Sequence, residues 1–172
     1  IRNYTIVERV GEGGFGVVYR AVSHTKQRTE ALKVLFGETA LREAYFQNEV
    51  HLVAKLRHPN IATLFDAHLT TPPLYYTMEF ISGQQLGDYL RTHRVPLAQR
   101  IALLQKVVAA ISYAHSQGVV HRDIKPQNIL VDARGEPIIV DFGIGKKLGL
   151  PCNDREPKGS PEGFLGTFGY VA

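Results

Sequence analysis

The sequence changes character near residues 81–84, and this change limits the folds that the chain can adopt. Before it, residues 4–10, 17–22 and 28–34 are rich in Val, Ile, Tyr and Thr, and Gly or polar clusters separate them. Such runs predict strands. After the change, apolar side chains recur at helical spacing. We therefore expect an α+β chain with a β-rich first part, a helical second part and a cleft between them.

The first part also contains one predicted helix and two more strands. Residues 39–56 lack Gly and Pro and predict a helix, which the breaker sequence at 58–60 ends. Short apolar runs at 61–66 and 75–81 predict the two strands.

The second part is organised around a helix predicted at 97–115. Pro96 suits a helix start. The helix carries apolar residues at i, i+4, i+7, i+11 and i+14, which are Leu97, Ile101, Leu104, Val108 and Ile111. Runs at 128–131 and 137–140 predict a hairpin. Residues 146–164 are rich in Gly, Pro and charge without periodicity, which predicts a mobile loop.

Composition excludes several functional classes. The chain has 172 residues, 44% hydrophobic and 21% charged, which is typical of soluble globular proteins. The net charge of +4 comes from scattered cations, whereas a nucleic-acid footprint needs a stripe of them. The longest strictly apolar run, 107–111, is far too short to span a membrane. We expect neither nucleic-acid binding nor membrane contact from this segment. The single cysteine, Cys152, suits a reducing compartment, and we expect a cytoplasmic location.

The segment "GEGGFGVV", residues 11–18, has glycines in the spacing G-x-G-x-x-G, at Gly11, Gly13 and Gly16. Glycines let the backbone approach an anion closely, with amides turned toward phosphate oxygens. The same glycines are also compatible with a plain glycine-rich hairpin. A dinucleotide-binding version should lead into a helix, but here a predicted strand follows, which argues against that fold.

Lys33 lies among apolar residues of a predicted strand, 17 positions after Gly16. A strand lysine is usually a surface residue, but beside a glycine loop it becomes a candidate phosphate clamp. Such a lysine needs an anion to hold it in place. Glu49 on the predicted helix can supply one, and Glu43 is the competing candidate.

Two acidic residues, Asp123 and Asp141, are 18 positions apart, with Lys125 and Asn128 between them. Phosphoryl transfer from a nucleotide uses these residue types. One carboxylate, Asp123, would accept or orient the hydroxyl proton, and Lys125 would offset charge on the moving phosphoryl group. Asn128 and Asp141 offer hard oxygen ligands for Mg²⁺. Each residue alone could be a cap or turn residue, but all four in this order favour a catalytic site.

Together these segments resemble the eukaryotic-type serine/threonine protein kinase family, including its bacterial members. The glycine loop is followed by Glu30-Ala31-Leu32-Lys33, a loose version of the family's Val-Ala-Ile-Lys. The family's His-Arg-Asp-Leu appears in residues 121–124 with Ile124 for Leu, and Asp-Phe-Gly is intact at 141–143. The resemblance covers nearly the whole chain.

The resemblance implies a protein-kinase-like two-lobe fold. The β-rich N-lobe, with one major helix, would be residues 1–81, and a partial, mainly helical C-lobe would be residues 82–172. The family pattern would continue with further helices after Ala172. Without them, we expect exposed apolar surface on the helix at 97–115.

The resemblance also implies ATP and Mg²⁺ as cofactors and assigns the ATP-binding residues. Met78 takes the gatekeeper position, and Glu79 to Ile81 form the hinge whose backbone binds adenine. The loop over the phosphates consists of Gly11, Glu12, Gly13, Gly14, Phe15 and Gly16. The apolar residues that sandwich adenine are Val18, Ala31 and Leu130. Val53, Leu64, His121 and Phe142 resemble the stacked spine of the active state.

The implied substrate is a Ser or Thr hydroxyl of a protein, because Lys125 and Thr167 match the serine/threonine pattern. Arg122 would pair with a phosphate on the activation loop. Ser160 is the only hydroxyl residue between Gly143 and Gly166, and we expect it to be the regulatory site, if one exists. Two alternatives are a nucleotide- or partner-binding module without catalysis, and a small-molecule phosphotransferase, which the sequence matches poorly.

Overall fold

The computed structural model describes residues 1, 3–13, 16–36 and 50–142. These residues divide into two compact units. The first contains the described residues of 1–54 and 64–80, and the second contains those of 55–63 and 81–142.

The first unit is built on a five-stranded antiparallel sheet in the order β1-β2-β3-β5-β4. The strands are β1 (Tyr4–Gly13), β2 (Gly16–Ser23), β3 (Arg28–Leu35), β4 (Leu64–His68) and β5 (Tyr75–Glu79). All five predicted strands exist. The expected start of the fourth, at residue 61, is wrong: Ile61 instead forms an isolated bridge with Ile139 of the second unit.

The two faces of this sheet have different contents, because neighbouring residues of a strand point to opposite sides. One face packs Tyr4, Ala21 and Leu32 into an apolar cluster, with Tyr19, Val34 and Tyr75 against it. The strand register assigns four of the predicted ATP-binding residues to the other face. There Val18 lies opposite Lys33, and Ala31 lies opposite Met78.

The helix predicted at 39–56 falls largely outside the described residues. Residues 50–53 are helical, and the backbone N–H of Ala54 donates to the carbonyl oxygen of Val50 at 2.8 Å. The helix therefore ends before residue 56, because a turn at 54–55 leads into the irregular segment before Pro59.

The second unit combines two helices with a three-stranded sheet in the order β6-β7-β8. Its elements are β6 (Gly83–Gln85), α1 (Leu86–Thr92), α2 (Leu97–Ser116), a 3-10 turn (Pro126–Asn128), β7 (Ile129–Asp132) and β8 (Pro137–Ile139). The predicted helix at 97–115 and the predicted hairpin are confirmed. β6 and α1 were not predicted, because Gly83 and the polar residues beside it indicate a break between elements and not a strand.

Helix α2 buries a different face from the one that its longest apolar stripe indicates. Leu97, Ile101, Leu104 and Val108 are 48–73% exposed. The residues that α2 buries are Leu103, Val107, Ala110 and Ala114. The expectation of exposed apolar surface on this helix is confirmed.

Residues 55–63 are part of the second unit, and they contact α2 and β8 there. The Tyr113 hydroxyl accepts a hydrogen bond from the backbone N–H of Arg57 at 3.0 Å. The ring of His58 packs on Tyr113 with 5.3 Å between centroids. The side-chain amide of Asn60 donates to the carbonyl oxygen of Pro137 at 2.8 Å. These contacts give the 58–60 sequence a structural role within the described residues.

Candidate active site

The glycine loop lies at the turn between β1 and β2. Gly13 lies opposite Gly16, and Gly11 lies opposite Val18, so the loop joins an antiparallel pair whose register shifts between Arg9 and Gly11. At Gly16, a Cβ would overlap the carbonyl oxygen of Val34, so only glycine lets β2 approach β3 there. At Gly11 and Gly13, nothing lies within 4 Å of the Cβ position. The fold itself therefore leaves room at those two positions, which suits close approach of a phosphate.

Lys33 is nearly buried, with 6% of its surface exposed, and it points to the same face of the sheet as Ala31. Its Nζ atom lies 6.0 Å from the ring centroid of Tyr76, its partner across the ladder. A lysine held this deeply is unlike the exposed strand lysine of the alternative interpretation. The predicted anionic partner Glu49, like its competitor Glu43, lies outside the described residues.

The predicted adenine-binding residues divide between the two units. Val18, Ala31 and the buried Met78 occupy adjacent strands of the first sheet, and the exposed Glu79 ends β5. Ile81 and Leu130 belong to the second unit, where Leu130 lies opposite Gln85 on β6 and Ile138 on β8.

Asp123 is the centre of a polar cluster in the second unit. Its Oδ2 atom lies 3.1 Å from Nζ of Lys125. The side-chain amide of Asn128 donates to the same Oδ2 atom at 3.0 Å and to the carbonyl oxygen of Asp123 at 2.8 Å. Asp123 and Asn128 are each only 8% exposed. An acid, an ammonium and an amide therefore converge in a largely dry site, where hydrogen bonds and charge interactions are strong.

His121 connects this cluster to the segment that carries Asp141. The backbone N–H of Asp123 donates to Nδ1 of His121 at 3.2 Å, so Nε2 carries the proton and donates to the carbonyl oxygen of Val140 at 3.1 Å. The His121 ring also packs on Phe142, with 4.6 Å between centroids. Sequence reasoning missed this hydrogen-bonding role, because only the fold brings Val140 beside a histidine 19 positions earlier.

A backbone hydrogen bond places Asp141 close to Asn128. The N–H of Val140 donates to the carbonyl oxygen of Asn128 at 2.9 Å, and Asp141 follows directly. The φ angles of Asp141 and Arg122 are +57° and +63°, in the left-handed region that non-glycine residues rarely occupy. Strained backbone of this kind concentrates at functional sites.

The oxygen donors of this segment fit Mg²⁺. Because Nδ2 of Asn128 donates to Asp123, the side-chain oxygen of Asn128 is the atom that could ligate a metal, and the Asp141 carboxylate has the same hard-oxygen chemistry. In the described part of the chain, no cluster of three or more His, Cys, Asp or Glu side chains could hold a metal by itself. Two protein oxygens suit Mg²⁺, which usually completes its shell with waters and substrate phosphates.

Comparison with known families identifies the family to which the chain belongs. The family model described as "Protein kinase domain" matches residues 4–172. The chain belongs to the protein kinase domain family. Its similarity extends to relatives described as serine/threonine kinases, and members of the family generally use ATP and Mg²⁺.

Several relatives align with most of the kinase chain. CBL-interacting protein kinase 19 of Oryza sativa subsp. japonica is 34% identical over 98% of this chain and 33% of its own length. The probable serine/threonine-protein kinase PknB of Lactococcus lactis is 37% identical over 84% of this chain and 24% of its own. The chain thus spans about a third or less of these relatives.

The solved kinase domain of Mycobacterium tuberculosis PknI has a similar fold. It superposes with a TM-score of 0.71 at 28% identity, covering 83% of this chain and 60% of that one. The kinase-like fold expected from the sequence is therefore confirmed.

Some expected features of the kinase site lie outside the described residues. They are Gly14, Phe15, Glu49, Gly143, Ser160 and Thr167. No helix in the described ranges is long and apolar enough to cross a membrane.

Proposed function

We propose that this kinase domain transfers the γ-phosphoryl group of ATP to a Ser or Thr hydroxyl of a protein substrate, with Mg²⁺. The observation that carries the proposal is the convergence on Oδ2 of Asp123. Lys125 lies 3.1 Å and the Asn128 amide 3.0 Å from that oxygen, in a site with little exposure. A carboxylate fixed by two donors is suited to receive one proton from a correctly oriented alcohol.

The roles follow from the chemistry of each side chain. Asp123 orients the acceptor hydroxyl and takes its proton. Lys125, already paired with Asp123, offsets negative charge on the transferring group. Asn128 and Asp141 would hold Mg²⁺, which would neutralise charge at the phosphates when bound.

ATP binding is assigned to the face of the first sheet that carries Ala31 and Lys33, together with Ile81 and Leu130. Lys33 and the loop from Gly11 to Gly16 contact the phosphates, because backbone amides and a buried ammonium are natural phosphate ligands. The adenine ring is held by apolar side chains and by the hinge backbone, from Val18, Ala31, Met78, Glu79, Ile81 and Leu130. Glu49, which lies outside the described residues, is the anionic partner that we assign to Lys33, with Glu43 as the competing candidate.

Two observations favour a Ser/Thr protein substrate. Lys125 lies two positions after Asp123, and four of the matched relatives are named as serine/threonine-protein kinases. Thr167 belongs to the segment that resembles the family's peptide-binding stretch. Regulation is assigned to Ser160, whose phosphate would pair with Arg122. Mass spectrometry after incubation with ATP tests this site, and phosphate found only at other positions would refute it.

The decisive experiment measures transfer of labelled phosphate from ATP to a generic Ser/Thr protein substrate. The chain is compared with Asp123→Asn and Lys33→Met, and with Lys106→Met as a matched control. Lys106 forms an exposed ion pair with Glu136 and is not one of the proposed site residues. We expect transfer to fall at least about a hundredfold in the first two variants and to persist in the control. Equal labelling by all proteins would overturn the role assignments. ATP binding without any transfer would favour the non-catalytic binding module.

A further inference from the structure

Glu30 is a buried acid that the proposed reaction does not use. It occupies the first position of the Glu-Ala-Leu-Lys motif on β3, where the family pattern has an apolar Val. Only 1% of its surface is exposed. A buried carboxylate is costly unless it is paired, so Glu30 needs a group that compensates its charge.

The charge of Glu30 is compensated by Arg28. The Nε atom of Arg28 donates to Oε1 of Glu30 at 2.7 Å, and the guanidinium Cζ lies 3.4 Å from the ring centroid of Phe65 on β4. The ring thus holds Arg28 through a cation–π contact. Oε2 of Glu30 is buried and accepts no hydrogen bond from the described residues. Arg28 therefore supplies the ion pair on which this carboxylate depends.

The pair lies directly beside the proposed adenine-binding strand. Across the β3–β5 ladder, Glu30 is opposite Glu79, and the next pair is Ala31 with Met78. Directly opposite residues of an antiparallel pair share one face of the sheet, and like charges there repel. Glu30 and Glu79 are such a pair, at the point where the proposed hinge begins. Compensation of Glu30 by Arg28 weakens this repulsion.

We propose that Arg28 and Glu30 are positioning residues for the ATP site. Arg28, clamped by Phe65, neutralises Glu30, so the end of β5 stays in register with β3 and the hinge backbone stays in place for adenine. The inference rests on the proposed function, since Met78 and Glu79 are adenine-binding residues only by that proposal. Because adenine contacts are made equally before and during transfer, loss of positioning should raise KM for ATP and leave kcat nearly unchanged.

A double-mutant cycle tests the inference. ATP affinity is measured by titration, KM and kcat by transfer, and folding by thermal unfolding, for Arg28→Met, Glu30→Gln and the double variant. The Arg28 side chain is 41% exposed, but its removal would leave the buried Glu30 carboxylate without its ion pair, whereas replacing both partners is tolerated. We expect Arg28→Met to raise Kd and KM for ATP about tenfold, kcat to stay within about twofold, and the double variant to return close to wild type. Arg28→Lys should be intermediate. The exposed pair Arg91 and Asp88 supplies the control, and Arg91→Met should change neither constant.

The outcomes separate the inference from the proposed function. Equal Kd and KM for ATP in all variants would overturn the inference. So would a double variant that is as impaired as Arg28→Met, because the charge pair would then not position the ATP site. If Arg28→Met does not fold, the double variant is the deciding measurement. A double variant that folds and binds ATP with wild-type affinity supports the inference, and a double variant that does not fold or does not bind ATP normally overturns it. Because Kd is measured without transfer, a wild-type chain that binds ATP but transfers nothing refutes the proposed function while the cycle still tests positioning. A chain that binds no ATP refutes both.

Discussion

The side-chain amide of Asn128 donates to both the Oδ2 atom and the carbonyl oxygen of Asp123, at 3.0 and 2.8 Å. One amide thus fixes the side chain and the backbone of the proposed catalytic acid. Since the N–H of Val140 donates to the carbonyl oxygen of Asn128, the same residue also holds the segment that carries Asp141. Asn128 therefore links the proposed acid to the proposed metal ligand.

Replacing Asn128 should therefore impair catalysis more than folding. Asn128→Ala removes both hydrogen bonds, and Asn128→Asp replaces the donor by a carboxylate that repels Asp123. We expect kcat/KM for ATP to fall about ten- to hundredfold in each, as for other residues that orient site ligands. Steady-state kinetics check this, with Gln127→Ala as the control because Gln127 is exposed. Unchanged kinetics in Asn128→Asp would contradict the assignment.

The spacing of Asp123, Lys125 and Asn128 was sufficient to group them, because all three lie within one short segment. The role of His121 could not be predicted in the same way. Its two ring nitrogens bind the backbone of Asp123 and of Val140, and these backbone groups meet only after β7 and β8 form their hairpin. Sequence identifies side-chain chemistry at a site, whereas contacts to distant backbone depend on the fold.

Helix α2 shows a second limit of sequence patterns. Its exposed stripe and its buried stripe both have helical spacing, and the buried one includes Ala110 and Ala114, which contribute little to an apolar pattern. Periodicity predicted the helix correctly. It could not choose the buried face, because that choice depends on what packs against α2.

Adjacent leucines of α2 test which face is buried. Leu103 is 8% exposed and Leu104 is 50% exposed. Leu103→Ala should lower the free energy of unfolding by about 2–5 kcal/mol, through lost burial and the cavity that remains. Leu104→Ala should change it by less than about 1 kcal/mol. Urea unfolding of the two variants checks the difference. Equal losses of unfolding free energy would show that the buried face of α2 is assigned incorrectly.

Gly83 shows why β6 escaped prediction, since a glycine inside a run usually marks a loop. Here it allows close approach: a Cβ on Gly83 would overlap the carbonyl oxygen of Val131 on β7. Gly83→Ala should therefore destabilise the chain by about 1–3 kcal/mol, because the backbone must shift.

Gly87, in α1, has only the Pro126 side chain near its Cβ position, at 3.9 Å. Gly87→Ala should stabilise by about 0.5–1 kcal/mol, the helix-propensity difference. Thermal unfolding of both variants checks these opposite signs, and a neutral Gly83→Ala would argue against the β6–β7 pairing.

Asp132 closes the turn between β7 and β8, and its ionisation should make stability depend on pH. Its Oδ1 atom accepts hydrogen bonds from the backbone N–H groups of Arg134 and Glu136, each at 2.9 Å, and its Oδ2 atom accepts one from the Arg134 side chain. Burial tends to raise the pKa of Asp132. The hydrogen bonds from Glu136 and Arg134 outweigh it and lower that pKa below its ordinary value of 3.8.

Because the folded pKa of Asp132 lies below the unfolded one, its carboxylate stabilises the fold above pH 3.8, and this contribution is lost as the pH falls through the folded pKa. Asp132→Asn should therefore be less stable than wild type at about pH 7, and the gap should narrow toward about pH 3. Urea unfolding across this range measures the gap. Asp88→Asn serves as the control, because Asp88 is an exposed acid paired with Arg91 on α1. A gap that stays constant down to the lowest pH would show that the Asp132 carboxylate acts in the turn by shape and not by charge.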